Sequence, residues 1–482
     1  MTIPSSGPSG ALEIRTALQH GMSHHQAGRL QQAKSYYQQI LKTQPDHAEA
    51  NHLMGLLAHE LGNNEDAVEL ISKAVRKDPS IAHYHYNLGN VLHAQGSLDK
   101  AAASFGESIE IAPGVAETHL NLGNVLQDQG KWDDAIQCFK KAYEFKPDFA
   151  LAHYNQGNAM MALGLLEGSI ESYRRALEID PHTPQFHLNL GHVLKHLGHL
   201  KDAESCFRDA ISLNPEYAEA HSNLGHTLYE QDRLEDALQV FRQALEYDPE
   251  NSTAQHMVSA ISGDTTEIAP KGYVQKLFND FAPGFEKQLV EDLGYKVPSL
   301  MRQAVNGYTG GGGTFERALD LGCGTGLVAE QFRDIVGEFY GVDLSQRMAE
   351  LAREKGYYEA VFLEDVVDFL KSLKRTASQY DLVLAADLFI YIGNLAPVFS
   401  AVRGAMTEGG LFVFSVERSE RETFQLLDTG RYAQSKAYIH GLASEHNFSI
   451  ELSEQILVRK GKEDNWVPGN LFILKANNHS NC

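Results

Sequence analysis

Proline recurs at Pro45, Pro79, Pro113, Pro147, Pro181, Pro215 and Pro249, in steps of 34 residues. Glycine keeps the same step at Gly21, Gly55, Gly89, Gly123, Gly157, Gly191 and Gly225. A period held this long confines the N-terminal half to a stack of like units, because no unit of 34 residues can bury its apolar face alone. Within each unit a small residue stands at a fixed place: Ala33, Ala67, Ala101, Ala135, Ser169, Ala203 and Ala237. Four residues beyond it come Tyr37, Ile71, Phe105, Phe139, Tyr173, Phe207 and Phe241. That order suits a helix pair: a small residue at the crossing, an aromatic in the seam, and a proline that ends the second helix.

These features resemble the tetratricopeptide repeat, and seven units span residues 14–251. Residues 1–13 read as a disordered N-terminus, and 252–270 as a capping helix and linker. The resemblance implies an α solenoid, a superhelix whose first helices line a concave groove. On those helices Asn87, Asn121, Asn155, Asn189 and Asn223 hold the sixth place, and Asn90, Asn124 and Asn158 the ninth. The two places lie one helical turn apart, on one face. A carboxamide carries both donor and acceptor, so such a ladder can hold the backbone of an extended peptide. The run His-x-Asn-Leu-Gly-Asn is similar to repeats of O-linked N-acetylglucosamine transferases, which implies a protein or peptide partner. His85, His119, His153, His187 and His221 occupy the fourth place and read as packing residues. They stand 34 apart, so none pairs with another inside a helix, and no metal site is expected.

The C-terminal half changes character. Ala318-Leu319-Asp320-Leu321-Gly322-Cys323-Gly324-Thr325-Gly326-Leu327 reads as a buried strand, a glycine turn and a helix start. A second strand ends on Asp343, where a carboxylate can accept hydrogen bonds from both ribose hydroxyls. Strand and helix then alternate, with strands near 317–321, 338–343, 360–364, 381–387 and 411–416, and a closing hairpin near 448–453 and 470–475. This argues a parallel, doubly wound sheet. The turn is D-x-G-x-G-T-G, not the G-x-G-x-x-G of dinucleotide sites.

Residues 271–482 thus resemble a class I S-adenosylmethionine-dependent methyltransferase, an α/β Rossmann-like domain, of the trans-aconitate-methyltransferase-like and biotin-pathway-like branch. The resemblance implies S-adenosyl-L-methionine held by Asp320, Gly322, Cys323, Gly324, Thr325 and Gly326 in the turn. It adds Asp343, Leu344, Ser345 and Met348 after the second strand, and Glu364, Asp365 and Val366 after the third. Ala386 after the fourth strand and Phe278 and Phe281 on a preceding helix complete the set. No catalytic group is assigned; the candidates are Asp387, Tyr391, Arg431, Tyr432 and His440.

Absences narrow the chemistry. The net charge of −22 and the lack of basic runs argue against a nucleic-acid acceptor. No stretch is apolar enough for a membrane span, and the four cysteines show no paired framework, so a cytoplasmic protein is expected. Neither an N-P-P-Y segment nor a Pro-Cys nucleophile pair is present. The reading is a methyltransferase whose repeats bind a protein partner or polypeptide substrate. The alternatives are a small-molecule, carboxylate-type methyltransferase with the repeats as a localisation or oligomerisation module, and a non-enzymatic scaffold.

Overall fold

The structure, a computed structural model, describes residues 8–281, 285–373, 379–461 and 465–478. The chain forms two compact units, one ending at Leu213 and one beginning at Asn214. The first seven residues of the segment expected to be disordered lie outside the described residues, and helix α1 already begins at Pro8.

The first unit is an antiparallel array of helix pairs. These are α1 (Pro8–Gln26) with α2 (Leu30–Thr43), α3 (Ala48–Glu60) with α4 (Asn64–Lys77), and α5 (Ala82–Ala94) with α6 (Leu98–Ile111). They continue as α7 (Ala116–Asp128) with α8 (Trp132–Phe145), α9 (Ala150–Ala162) with α10 (Leu166–Ile179), and α11 (Pro184–His196) with α12 (Leu200–Leu213). The repeated glycine is explained by contact: a Cβ on Gly123 would sit 2.5 Å from the Phe139 ring. Ala101, Phe105, Ala135 and Phe139 are wholly buried, so the small residue and the seam aromatic form the core that the period anticipates.

Adjacent repeats are also joined through polar side chains at two fixed separations. Pairs 31 residues apart bond directly: the Asn121 amide donates to Asn90 Oδ1 at 2.8 Å, Asn155 to Asn124 at 2.8 Å, and Asn189 to Asn158 at 2.9 Å. Pairs 35 apart meet as well, Asn121 with Tyr86 Oη at 3.1 Å and Asn189 with Tyr154 Oη at 2.9 Å. The fourth-place histidines point back to the preceding proline, as in His119 with the Pro113 carbonyl at 2.8 Å. They are helix-end partners as well as packing groups.

The second unit opens with α13 (Ala218–Glu230), α14 (Leu234–Tyr247) and α15 (Ser252–Ser262). Here the ladder departs from expectation. Asn223 is buried and its amide donates to the Glu219 carbonyl of its own helix at 2.9 Å, so it presents no carboxamide at a surface.

Then follow α16 (Lys271–Phe281), α17 (Val297–Thr309), β1 (Phe315–Leu321), α18 (Leu327–Phe332), β2 (Val336–Asp343) and α19 (Gln346–Glu354). Next come β3 (Ala360–Leu363), α20 (Val366–Leu373), β4 (Tyr380–Ala385), α21 (Ala396–Ala405) and β5 (Met406–Arg418). The chain closes with β6 (Phe424–Leu426), β7 (Tyr432–Gln434), α22 (Lys436–Glu445), β8 (Phe448–Lys460) and β9 (Trp466–Ala476).

The sheet order is β3-β2-β1-β4-β5-β7-β6, with β9 antiparallel on β5 and β8 on β9. Alternate residues feed opposite faces: Leu319, Leu321, Phe412 and Phe414 enter one core, while Ala318, Leu411 and Val413 enter the other. Both faces are covered by helices, which is a Rossmann-like, doubly wound domain. The short pair β6–β7 was not foreseen; with three residues to a strand it carries too little alternation to read. The expected linker is tied down: Glu267 O accepts from the Gly393 and Asn394 amides at 2.8 Å each, and the Ala269 amide donates to Tyr391 O at 3.0 Å.

Candidate active site

A cavity of about 190 Å³ opens at the carboxyl ends of β1, β2 and β4, the place where parallel α/β sheets hold ligands. One side is the turn after β1. Gly322, Gly324 and Gly326 all take positive φ there. At Gly324, with φ +52°, a Cβ would meet nothing within 4 Å and would project into open space. The Gly324 amide donates to Asp343 Oδ2 at 2.8 Å, and the Ser345 amide to Asp343 Oδ1 at 2.8 Å. Each Asp343 oxygen therefore keeps acceptor capacity while the turn is held open. Burial raises the Asp343 carboxyl above its usual range, and the backbone N–H donors oppose this.

Several expected residues line this cavity: Gly322, Cys323, Gly324 and Thr325 from the turn, Asp343 and Leu344 after β2, Asp365 and Val366 after β3, Ala386, and Phe278 from α16. Asp365 does two jobs at once. Its Oδ1 caps α20 by accepting from the Val367 and Asp368 amides at 3.0 and 3.1 Å, while Oδ2 lies 3.6 Å from Lys271 Nζ.

Others are placed elsewhere. Asp320 is fully buried beneath the turn, accepts from the Tyr358 hydroxyl at 2.7 Å, and is pushed up to about 7 by burial. Gly326 backs onto the Tyr358 ring. Met348 is wholly buried in α19 and Glu364 is exposed, so neither joins the cavity wall. Ser345 caps α19 and its hydroxyl bonds Asn279 of α16 at 2.7 Å. The side chain of Phe281 lies outside the described residues.

At the other end of the cavity stand Asp387, Tyr391 and Arg431, together with Tyr295 and Arg459. Asp387 follows β4 with φ +53°, a left-handed conformation that costs a non-glycine residue energy. Its amide donates to Ser415 Oγ at 3.0 Å. Arg459 Nη2 donates to Glu417 Oε1 at 2.5 Å, Arg431 Nη1 lies 3.5 Å from the same oxygen, and Arg459 Nη1 lies 3.5 Å from Asp387 Oδ2. Two cations thus face two carboxylates. Burial and the Glu417 charge push the Asp387 carboxyl up to about 7, against the pull of Arg431. Burial likewise pushes the Tyr391 phenol up to about 12.

The structure does not bring the remaining candidates here. Tyr432 is buried and its hydroxyl bonds Thr266, away from the cavity wall, because β7 turns its side chain toward the linker. His440 sits on the outer face of α22, exposed, with its ring 6.4 Å from that of Phe472. Arg459, Glu417 and Tyr295 were missed. The only sequence signal for Arg459 is a cation at an inward place of an apolar run, Ile456-Leu457-Val458-Arg459.

Residues 319–414 match the family described as "Methyltransferase domain". Residues 18–80, 52–116 and 188–252 match "Tetratricopeptide repeat", and 123–164 and 157–198 match "TPR repeat". Ubiquinone biosynthesis O-methyltransferase of Burkholderia vietnamiensis is 30% identical over 107 residues, 21% of this chain and 44% of that protein. Its namesake in Bordetella avium is 27% identical over 109 residues, 22% of this chain and 45% of that protein. The biotin biosynthesis bifunctional protein BioHC of Saccharophagus degradans is 26% identical over 145 residues, 30% of this chain and 26% of that protein. The chain spans less than half the length of these three curated relatives. Among solved structures, YrrB, a TPR protein with an unusual peptide-binding site, is 24% identical with a TM-score of 0.35, covering 39% of this chain and 97% of that one. MamA is 25% identical with a TM-score of 0.33, covering 35% and 92%. The chain therefore carries tetratricopeptide repeats in its N-terminal region and a methyltransferase domain in its C-terminal region.

Proposed function

We propose that the methyltransferase domain uses S-adenosyl-L-methionine and transfers its methyl group to an O–H or N–H acceptor, and that the repeats hold a protein or polypeptide. The observation that carries the cofactor reading is the pairing of Gly324 with Asp343. A cradle that a Cβ would fill lies beside a carboxylate that spends one hydrogen bond per oxygen on the backbone and keeps the rest for a diol. Asp365 and Val366 lie on the wall of the same cavity, and Phe278 and Val274 of α16 form a side of it.

Bound there, S-adenosylmethionine supplies an electrophilic methyl group on a sulfonium. The chain's own contribution is positioning and proton acceptance. Asp387 lines the cavity with its side chain 18% exposed, and its pKa near 7 matches a base poised at neutral pH. Arg431 and Arg459 are already compensated by Glu417 and Asp387. A base on the cavity wall suits an acceptor that must give up a proton, an O–H or N–H group, rather than a carboxylate. Apolar side chains such as Leu289, Val328 and Ile390 line the same space and limit access of water.

For the repeats, each inter-repeat asparagine pair commits one N–H of the later residue and the carbonyl of the earlier one. A carbonyl remains on Asn121 and an NH₂ on Asn90, both half-buried. The acceptor–donor couple that meets a peptide backbone is thus assembled from two repeats, with the orientation of both groups fixed in advance.

The decisive experiment is calorimetry of the folded chain with S-adenosylmethionine and its demethylated product. One site is expected; no affinity for either ligand refutes the reading. Incubating the enzyme with methyl-labelled donor and a cell extract then separates acceptors. Label in the protein fraction supports polypeptide delivery, and label only in small molecules supports the repeats as a localisation module.

A further inference from the structure

The period of 34 conceals a cluster that the contacts between neighbouring repeats create. Residues 31 apart on successive first helices face each other, as the asparagine pairs do. His52 and His83 are 31 apart, and their rings lie 5.1 Å apart. Glu49, one turn before His52 on α3, completes a triangle: His52 Nδ1 lies 3.9 Å from Glu49 Oε1, and His83 Nε2 lies 4.0 Å from Glu49 Oε2. One ligand atom from each of the three residues falls within 4.8 Å of the others. The trio does not recur along the array. The place of His52 is filled by Tyr86, Leu120, Tyr154 and Leu188 in the next four units, so a histidine there breaks an apolar or aromatic pattern.

His52 is only 3% exposed, yet its Nδ1 has no hydrogen-bond partner among the described residues. An imidazole nitrogen this buried ordinarily finds a partner. Its other nitrogen, Nε2, is engaged at 2.8 Å by the Asn87 carboxamide. That amide can turn its oxygen to accept from Nε2–H, since either orientation fits the same contact. A histidine whose far nitrogen is held by a carbonyl has its near lone pair fixed in direction, which is how ligating histidines are commonly oriented. Tyr84 donates to Glu49 Oε2, the oxygen that faces His83, at 2.8 Å and helps fix the carboxylate.

We infer that Glu49, His52 and His83 form a binding site for one divalent first-row transition metal ion, zinc above all, between the second and third repeats. Two imidazoles and a carboxylate select zinc and its neighbours over magnesium or calcium. Ligand atoms around a tetrahedral ion at about 2.1 Å stand roughly 3.4 Å apart. The three ligand atoms, each within 4.8 Å of the others, would have to draw together to that spacing around an ion. The fourth position is left to water, on the side where His83 is exposed. The proposed site departs from the expectation of no metal, which considered histidines within one helix and not the pairing of successive first helices.

The test uses the full chain, stripped by chelator and titrated with zinc chloride by calorimetry, and with cobalt(II) by visible absorption. One equivalent is expected at micromolar concentration or below, with d–d absorption of a low-coordinate cobalt site. His83→Ala and Glu49→Gln are each expected to weaken binding more than roughly tenfold, the loss that follows even from removing an outer partner. Both side chains are partly exposed, so the metal-free variants should keep the wild-type circular dichroism and melting temperature. Absence of binding at 100-fold excess zinc, or unchanged affinity in either variant, overturns the site. His52→Asn serves as a third variant if its metal-free form melts as the wild type does.

Discussion

Replacing Asp387 by asparagine tests the assignment of the acceptor end most directly. The rise of its carboxyl from 3.8 to about 7 is about three units, equivalent to roughly 4 kcal/mol between the charge states at most. If the ionised form takes a proton from the acceptor, the rate follows the ionised fraction. Turnover should then fall about tenfold per unit below pH 7, and near a hundredfold between pH 8 and pH 5. An unperturbed aspartate would give a flat profile over that range. Asp387→Asn removes the base and should lower the rate constant by about 10²–10⁴ with little change in cofactor affinity.

Stability supplies a second reading of the same group. A carboxyl whose folded pKa is raised contributes stability that is fully present below pH 4 and is lost as pH rises through 7. Asp320, also pushed up to about 7, adds a parallel slope that the variant retains. The difference between wild-type and Asp387→Asn unfolding curves therefore isolates Asp387. Between pH 4 and pH 8 the wild type should lose up to about 4 kcal/mol more stability than the variant does. A pH-independent wild-type rate from 5 to 8.5, or a variant within tenfold of wild type, refutes the assignment.

Asp343→Ala should weaken S-adenosylmethionine binding by roughly 1–3 kcal/mol, read by calorimetry, since it removes charge-assisted hydrogen bonds. Gly324→Val should abolish that binding while far-UV circular dichroism is retained, because its side chain occupies the cradle. Phe139→Ala should destabilise the repeat array by about 3–5 kcal/mol, read from denaturant midpoints, since the ring is wholly buried against Gly123. Asn121→Ala should cost the array about 0.5–1.5 kcal/mol through its lost bonds to Asn90 and Tyr86. A bound polypeptide should tolerate side-chain changes but not N-methylated amides.

The period of 34 made the helix pairs legible because each repeat copies the contact between Gly123 and Phe139. The sheet was legible for a related reason: residues 411–414 in β5 are a continuous apolar run that follows two glycines. Asp320, Met348 and Glu364 show the limit. They are neighbours in sequence of residues that line the cavity, but strand and helix periodicity turns their side chains to the core or to solvent. Arg459 and Glu417 were obscure because their partners come from strands far apart in the chain. His52 and His83 stayed hidden for the opposite reason, since a regular repeat invites attention to residues 34 apart and contact occurs at 31.

The lacing of the linker has a practical and mechanical meaning. Glu267 and Ala269 grip the segment that carries Tyr391, and His256 of α15 bonds the Gly430 carbonyl beside Arg431 at 2.7 Å. Tyr273 packs on the His256 ring at 4.4 Å. A fragment cut at residue 269 would sever the Glu267 bonds, strip the cover from Tyr273 and loosen the segments that bring Tyr391 and Arg431 to the cavity. Tension on the chain upstream of Asp264 would reach Tyr391 through three backbone hydrogen bonds and no slack loop. The compact unit that contains the cavity begins at Asn214, so the helices of the last repeat belong to the body that frames it.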